Sequence, residues 1–327
     1  MRGLLLLILM TLVILSDTTT KKKKTVKQTP KQSKKSNIDR VWNDKIVDLT
    51  HPFNYHTPLF SEKSAFYEKK KVADLKGEES SNAYKYWAVE THFVIYNSAG
   101  THIESPRRLN SNGLSVKDLT FDRLILPAVV IDIEAECRRN RNYRLTETYI
   151  AEWEKKHGII PKGGLVLIKT GWSNYWKNSE KYYGTKDKNI MKLSWPGMDA
   201  EAAAWLVHNR KIYGVGIDAP SVDRGQSSVL LALRQLYDNN VYTLKNLADM
   251  SNIPTRGATV QIMPMLIDGA ASSPTRVFAS WSGDGSHKSG RSIPFLTRSG
   301  VEKTGSNIRK LLLYVSLACY AYHFLLL

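Results

Sequence analysis

The body of the chain alternates short apolar runs with helical patterns, and this alternation limits the fold more than any other feature. Residues 127–133 (PAVVIDI) and 164–168 (GLVLI) are the apolar, partly β-branched runs that are typical of strands buried on both faces. Thr146 is a suitable N-cap for a helix that ends near Gly158. The sequence therefore predicts an α/β domain with a mixed sheet over residues 38–280.

The same pattern continues through the rest of this domain. Apolar residues alternate with polar ones over residues 87–95, which is the spacing of a strand. Asp199 precedes a helical pattern, and the sequence shows no repeat of fixed period. The remaining predicted elements are a helix over residues 230–237 and strands over residues 213–217, 241–244 and 258–267.

Composition excludes several classes of protein. The chain has 327 residues and 42% apolar content, which is enough for one or two globular domains. Its two cysteines, Cys137 and Cys319, exclude a disulfide scaffold. The net charge of +17 suggests nucleic-acid binding, but eight lysines lie within residues 21–35. The remaining excess of about nine positive charges is modest for the rest of the chain.

The N-terminal segment has the pattern of a targeting signal. Residues 4–15 are apolar except for Thr11, a run that is too short to span a bilayer but of the length found in signal peptides. We expect residues 1–16 to be a signal peptide, and a buried core helix is the alternative. The Lys-rich residues 17–37 are expected to form a solvated linker, with attraction to anionic glycans or lipid headgroups as the alternative. A secretory route excludes nucleic acid as a partner.

The C-terminal segment predicts a membrane anchor. Residues 311–327 are an apolar tail, separated by a polar spacer from the small residues Ser299 and Gly300. This order is that of a GPI-attachment signal, after which the tail is removed. A short transmembrane helix is the alternative, because 17 residues is the lower limit for spanning. Either anchor places the protein at the cell surface, with residues 281–310 as a Ser/Gly-rich stalk.

Residues 97–108 (NSAGTHIESPRR) carry the most chemical information. A Gly-Thr-His turn leaves a strand, and Glu104 follows His102 by two residues, so both side chains project to the same side. An imidazole nitrogen and a carboxylate at this spacing are able to hold a divalent metal. On a strand, the same two residues are also common as a surface pair or a hydrogen-bonded pair.

This segment resembles the signature of the cyclase-like family of metal-dependent hydrolases, which includes bacterial kynurenine formamidase and isatin hydrolase. The family signature is His-x-Gly-Thr-His-x-Asp-x-Pro-x-His, and Gly100, Thr101, His102 and Pro106 stand at the matching positions. Further blocks are similar to the family in the same order: residues 48–52 (DLTHP), 126–132 (LPAVVID), 170–173 (TGWS), 216–223 (GIDAPSVD), 246–248 (NLA) and 273–276 (SPTR).

The resemblance implies a fold, an activity and a cofactor. The fold is a single swivelling β/α/β domain, and the activity is hydrolysis of an N-formyl aryl amide such as N-formylkynurenine, in tryptophan breakdown. The cofactor is zinc or manganese, held by the two signature histidines, the signature Asp, a distal His and a distal Glu. The last signature His acts in catalysis. Relatives form dimers or larger assemblies, so a homodimer is expected.

The sequence departs from the family at most of these positions, and of the metal ligands only His102 is retained unchanged. The replaced residues are Ser98 for the first signature His, Glu104 for the Asp, Arg108 for the catalytic His, Leu233 for the distal His and Lys245 for the distal acid. Serine is a poor ligand and leucine is none, so His102 and Glu104 are the remaining metal candidates.

Charge also opposes a tight metal site at these positions. A dication about 4 Å from Arg108 or Lys245 would be repelled by about 8 kcal/mol per cation at an effective dielectric constant near 20, and Glu104 would offset about one of these terms. We therefore expect the two cations to take the place of the metal and to pair with Glu104. Two cations beside one carboxylate favour an anionic small-molecule ligand.

Four further residues are candidates for the lining of a pocket: His51, Trp172, Asp218 and Ser221. The last two follow a predicted strand, where α/β sheets usually bind ligands. Two functions remain open. One is an arylformamidase-like hydrolase whose activity is altered or lost, because without a metal nothing activates the attacking water. The other is a non-catalytic binding or structural protein of the cell surface that retains the fold.

Overall fold

The computed structural model describes residues 44–54, 57–59, 65–72, 88–186 and 189–282. The predicted signal peptide, Lys-rich linker and apolar tail, and the predicted stalk from residue 283 onward, lie outside these residues. In the described part of the chain, no helix is both long enough and apolar enough to cross a membrane.

Seven strands of mixed direction close into a barrel. Around the barrel their order is β4-β12-β11-β5-β7-β9-β10, and β10 pairs with β4 to complete the ring. The strands from β5 through β7 and β9 to β10 are parallel, and the other pairs are antiparallel. Within the ranges given above, the strands are β1 (Asp44–Asp48), β2 (Ala65–Val72), β3 (Ala88–Ile95), β4 (His102–Glu104), β5 (Ile125–Asp132), β6 (Arg144–Leu145), β7 (Leu165–Lys169), β8 (Gly197–Met198), β9 (Gly214–Ile217), β10 (Tyr242–Lys245), β11 (Arg256–Pro264) and β12 (Ser272–Ser282).

The other strands lie outside this ring. β1 pairs with the C-terminal part of β12. β2 and β3 form an antiparallel ribbon, and β6 and β8 form a short parallel pair. The α-helices are α1 (Phe121–Leu124), α2 (Glu134–Arg139), α3 (Glu147–His157), α4 (Ser179–Tyr183), α5 (Ala200–Trp205) and α6 (Leu231–Tyr237).

Side chains alternate between the two faces of the parallel strands and so divide the core into two apolar clusters. In β5 and β7, Val129 and Val166 belong to a cluster that includes helical residues such as Trp153. Their neighbours Ala128 and Leu165 belong to a second cluster, with side chains from β4, β10, β11 and β12. Successive strand residues point to opposite faces, so the second cluster fills the barrel and the first packs the helices against it.

Most predicted elements are confirmed within one or two residues. The helix predicted after Thr146 is α3: the Thr146 hydroxyl accepts a hydrogen bond from Tyr149 N at 3.2 Å, and Gly158 ends the helix with a φ of 88°. Asp199 precedes α5 as expected, but its carboxylate pairs with Arg144 at 2.7 Å and does not cap the helix.

The last strand of the sheet was not among the predicted elements. β12 is the longest strand, yet the sequence pattern gave no strand over residues 272–282. Its first four residues are Ser, Ser, Pro and Thr, and three of them are buried because β12 passes between β4 and β11. The strand runs to Ser282, beyond the predicted boundary at residue 280. At the other end, β1 ends at Asp48, so the DLTHP block only begins in a strand.

Candidate functional site

The site is built around β4, the shortest strand of the barrel. Ile103 is fully buried in the barrel cluster, so His102 and Glu104 project from the other face of the strand. In the antiparallel pairing with β10, Lys245 lies directly opposite His102. Thr243 lies opposite Glu104. The register therefore brings the predicted metal candidates and Lys245 together on one face of the sheet.

Glu104 and Lys245 form a buried ion pair. The ammonium Nζ of Lys245 contacts Oε2 of Glu104, and each residue is only 5% exposed. The Tyr237 hydroxyl donates to the same Oε2 at 2.9 Å and lies 2.7 Å from the hydroxyl of Thr243. Burial alone raises the pKa of Glu104, but the adjacent Lys245 ammonium brings that pKa well below its ordinary value. Glu104 is thus held as a carboxylate.

Arg108 makes a looser contact with the same carboxylate. Its Nε lies 3.7 Å from Oε1 of Glu104, and 56% of its side chain is exposed. This distance exceeds that of a hydrogen bond, so the contact is electrostatic. The expected pairing of Glu104 with both cations is confirmed, but the two cations differ. Lys245 is enclosed with Glu104, whereas Arg108 lies at the solvent side.

The orientation of His102 follows from its neighbour Gly100. His102 Nδ1 lies 2.9 Å from the Gly100 carbonyl oxygen, which only accepts, so Nδ1 is the donor. In the neutral ring Nε2 then carries a lone pair. Nε2 is buried and has no hydrogen-bond partner among the described residues; Glu104 Oε1 lies 3.7 Å away. His102 therefore presents an unused acceptor.

Asn246, which belongs to one of the blocks similar to the family but was not among the predicted site residues, holds this turn in place. Its side-chain amide donates to the Gly100 carbonyl at 2.6 Å, and its Oδ1 accepts from the Tyr182 hydroxyl at 2.8 Å. The Thr101 hydroxyl donates to the Asn246 carbonyl at 2.7 Å. Asn246 has a φ of 55°, a conformation that asparagine tolerates better than most residues. The end of β10 is thus tied to the start of β4.

These side chains border a cavity of about 400 Å³. Ser98, His102, Glu104, Arg108, Lys245 and Asn246 are among its polar lining residues. Its apolar wall contains Leu59, Tyr96, Tyr183, Ile190, Leu193, Trp195 and Leu230. The cavity has the size of a small-molecule site, with a few polar groups at one end and an apolar remainder.

Leu233, the residue at the predicted position of the distal His, does not reach the cavity. Leu233 is buried in the helix-side cluster and is not one of the residues that line the cavity. Its backbone N–H donates to Asp223 Oδ2 at 3.0 Å. The residue of α6 that reaches Glu104 is Tyr237, one helical turn further on, which the sequence analysis missed. Ser98, by contrast, does line the cavity.

Two of the four predicted lining residues are aromatic, and both pack against other aromatic rings. His51 stacks on Trp176 with ring centroids 4.0 Å apart, and burial lowers the pKa of His51 to about 4. Trp172 is 2% exposed, and its indole N–H donates to the Tyr182 carbonyl. Neither residue is part of the cavity lining.

The other two predicted lining residues also support the fold. Asp218 is buried and accepts hydrogen bonds from the backbone N–H and hydroxyl of Thr170 at 2.9 and 2.6 Å. Burial raises the pKa of Asp218 to about 6. Ser221 is buried, and its hydroxyl accepts from Asp223 N at 3.3 Å. The cavity is lined by their neighbour Pro220 and not by Asp218 or Ser221.

The residues around Glu104 do not fit the zinc or manganese ion that the family resemblance implies. His102 Nε2 is an available donor, but Oε2 of Glu104 is already bonded to an ammonium and a phenol. Serine at position 98 and leucine at position 233 supply no imidazole. Within the described ranges, no three His, Cys, Asp or Glu residues are grouped so that they could share an ion. Structural and catalytic zinc sites use at least three protein ligands.

Comparison with known proteins gives the family. The Cyclase family model matches residues 47–224, which is more than half of the chain. The chain belongs to the cyclase family. This result confirms the resemblance drawn from the Gly-Thr-His segment and the blocks around it.

Individual relatives of this cyclase-family chain include hydrolases. Isatin hydrolase from Roseibium aggregatum is 25% identical over 249 residues, covering 72% of this chain and 90% of the relative. Kynurenine formamidase from Salinibacter ruber is 27% identical over 180 residues, covering 54% and 73%. The structure of isatin hydrolase A from Ralstonia solanacearum matches with a TM-score of 0.62 and 26% identity, covering 74% of this chain and 93% of that one. The mixed barrel is therefore shared with isatin hydrolase.

Proposed function

We propose that this cyclase-family protein binds a small molecule in the cavity beside Glu104 and does not catalyse metal-dependent hydrolysis. The observation that carries the proposal is the contact between Lys245 Nζ and Glu104 Oε2. An ammonium group at this point neutralises the carboxylate that a metal would need. The cavity itself is retained, with a polar end and an apolar wall.

The chemistry of these residues supports binding over hydrolysis. Hydrolysis in such a site depends on a metal that polarises a carbonyl and lowers the pKa of a bound water. Lys245 and Arg108 instead place two positive charges beside Glu104. A third, divalent cation would be repelled by both, by about 8 kcal/mol each at 4 Å with an effective dielectric constant of 20.

Hydrolysis of an aryl amide or lactam is the second candidate. It is favoured by the relatives, since isatin hydrolase is similar over 90% of its length and kynurenine formamidase over 73%. The free acceptor Nε2 of His102 also favours it, because such a nitrogen is able to act as a general base. On this proposal the substrates to test are isatin and N-formylkynurenine.

Metal analysis and activity assays separate the two candidates. We expect the purified protein to hold far less than one zinc or manganese per chain and to leave both substrates intact, with or without added metal. The Ser98→His/Lys245→Glu variant returns two family ligands and is the positive control for metal binding. Stoichiometric metal in the unmodified protein, together with turnover that a chelator abolishes, would refute the binding proposal.

The location at the cell surface is part of the proposal and rests on the sequence patterns at both ends. A GPI-anchored protein is released from intact cells by a phosphatidylinositol-specific phospholipase, whereas a transmembrane protein is not. Release into the medium is the expected result.

A homodimer is proposed from the family resemblance, and sedimentation of the released protein tests it.

A further inference from the structure

We propose that the cavity selects an organic acid with an apolar body, whose carboxylate binds Arg108 and whose neighbouring O–H or N–H group donates to His102 Nε2. This inference rests on the proposed function, because it assumes that the cavity holds a ligand where relatives hold a metal.

The charge balance of the site leaves Arg108 as the anchor for an anion. The ammonium of Lys245 is already paired, because the Glu104 carboxylate contacts it and both side chains are buried. Arg108 has one carboxylate neighbour, at 3.7 Å, and its guanidinium makes no hydrogen bond to the residues that the structure describes. Its planar set of N–H donors matches the geometry of a carboxylate. A ligand carboxylate therefore finds its strongest partner at Arg108.

The buried end of the site requires a hydrogen-bond donor from the ligand. His102 Nε2 accepts in the neutral ring, and it is enclosed without a partner among the described residues. Glu104 Oε1, 3.7 Å from this nitrogen, also only accepts. An ether, a ketone or a second carboxylate of the ligand would place a further acceptor against these two acceptor atoms. An O–H or N–H group of the ligand instead donates a hydrogen bond to one of the two.

Geometry places this donor close to the carboxylate of the ligand. His102 Nε2 and Arg108 Nε each lie 3.7 Å from the same oxygen, Glu104 Oε1. The two nitrogens are therefore no more than about 7.4 Å apart. A single small ligand spans them when its donor and its carboxylate are on the same or adjacent carbon atoms. A 2-hydroxy acid or an N-acyl amino acid has this arrangement.

The wall of the cavity determines the rest of the ligand. Tyr183, Leu193 and Trp195 are each at most 7% exposed and line the cavity together with Ile190 and Leu59. A volume of about 400 Å³ is larger than the carboxylate end alone requires. The body of the ligand is therefore apolar and of the size of an aromatic ring, because burial of apolar surface against this wall is favourable.

Three related probes test the inference on the unmodified protein. They are 2-hydroxy-3-phenylpropanoate, the same acid without its hydroxyl (3-phenylpropanoate) and the neutral 2-hydroxy-3-phenylpropanamide. Calorimetry at pH 7.5 with EDTA measures the Kd of each. We expect the hydroxy acid to bind best. Loss of the hydroxyl should raise Kd about 2- to 10-fold, and loss of the charge should raise it about 10- to 100-fold. No binding of the hydroxy acid, or equal Kd values for all three probes, would overturn the inference.

Two variants assign these losses to residues. Arg108→Gln should remove the advantage of the acid over the amide, whereas Arg107→Gln, a change in the adjacent arginine outside the cavity lining, should leave it intact. His102→Phe should abolish the difference between the hydroxy acid and 3-phenylpropanoate. An unchanged preference in either cavity variant contradicts the inference. Thermal unfolding checks that each variant is folded, and if His102→Phe is not, the probe series on the unmodified protein decides.

Failure of this inference is distinguishable from failure of the proposed function. A metal-free, hydrolytically inert protein that does not bind the hydroxy acid refutes the ligand class alone. Stoichiometric metal with chelator-sensitive turnover refutes the proposed function, and binding of the hydroxy acid that EDTA abolishes refutes the role of Arg108 as the anchor.

Discussion

The ammonium of Lys245 lies against the Glu104 carboxylate of the neighbouring antiparallel strand, and both side chains are enclosed by protein. A buried charge that loses its partner is costly, whereas loss of both charges together is often nearly neutral. The pair therefore makes the stability of the barrel depend on the charge balance of the site.

Removal of the ammonium alone should be strongly destabilising. We expect Lys245→Met to lower the free energy of unfolding by about 3–5 kcal/mol, and Glu104→Gln/Lys245→Met to recover most of this loss. Lys117→Met is the control, because the Lys117–Asp268 pair is exposed to solvent and should contribute little to the free energy of unfolding. Urea denaturation measures all three. If Lys245→Met is as stable as the unmodified protein, the Glu104 carboxylate does not need the ammonium as its partner.

The hydroxyl of Tyr237 should stabilise the buried carboxylate of Glu104. Tyr237→Phe keeps the packing of α6 but removes the donor to Glu104 Oε2 and the contact with Thr243. We expect a loss of about 1–3 kcal/mol in the free energy of unfolding. Tyr96→Phe removes a hydroxyl from a side chain that is 58% exposed and should change this free energy by less than about 0.5 kcal/mol. Equal effects of the two changes would argue against the hydrogen bond to Glu104.

Asp218 should make stability depend on pH. Its pKa is about 6 in the folded protein against an ordinary value of 3.8, so the folded state holds the proton more strongly than the unfolded state. The associated stability is present below about pH 4 and is lost as pH rises through 6, with an amplitude of about 3 kcal/mol. Asp218→Asn cannot ionise and keeps an acceptor for Thr170. Relative to the unmodified protein, this variant should therefore gain about 3 kcal/mol between pH 4 and pH 7 in denaturant titrations. If the free energies of unfolding of the variant and of the unmodified protein change with pH in parallel, Asp218 is not the group responsible.

Gly100 should tolerate no side chain. Its φ is +64°, and a Cβ atom there would lie 2.5 Å from the ring of Phe53. Gly269 has a φ of +69° but nothing within 4 Å of the same point, so Gly269→Ala measures the conformational cost alone, about 1 kcal/mol. We expect Gly100→Ala to cost at least about 2 kcal/mol more than this control, measured by thermal unfolding. Equal costs would mean that Phe53 moves aside freely.

Local patterns in the sequence were sufficient for the separate elements of the fold. β7 is an apolar run because both of its faces are buried, and α3 carries its N-cap and its terminal glycine in the sequence. The closure of the sheet was not predictable in this way. It depends on β4 meeting both β10 and β12, which are far away in the sequence, and β12 begins with small polar residues that do not resemble a strand.

The site was predictable only where charge and the family signature pointed to the same residues. The pairing of Glu104 with Lys245 followed from two replaced positions that the family brings together. Tyr237 was missed because its role depends on how α6 packs against β4, and Leu233, one turn earlier on that helix, was selected in its place. His51 and Trp172 were expected beside a ligand, but a buried aromatic side chain has the same sequence pattern whether it faces a cavity or the core.

The three residues of β4 belong at once to the chemistry of the cavity and to the closure of the barrel. Their backbone groups pair with β10 and β12 whichever side chains they carry, so the strand is held without any metal-binding residue. The backbone of this strand therefore sets no limit on which reactive groups the lineage loses, and the limit lies in the charges at Glu104, which favour joint replacements over single ones.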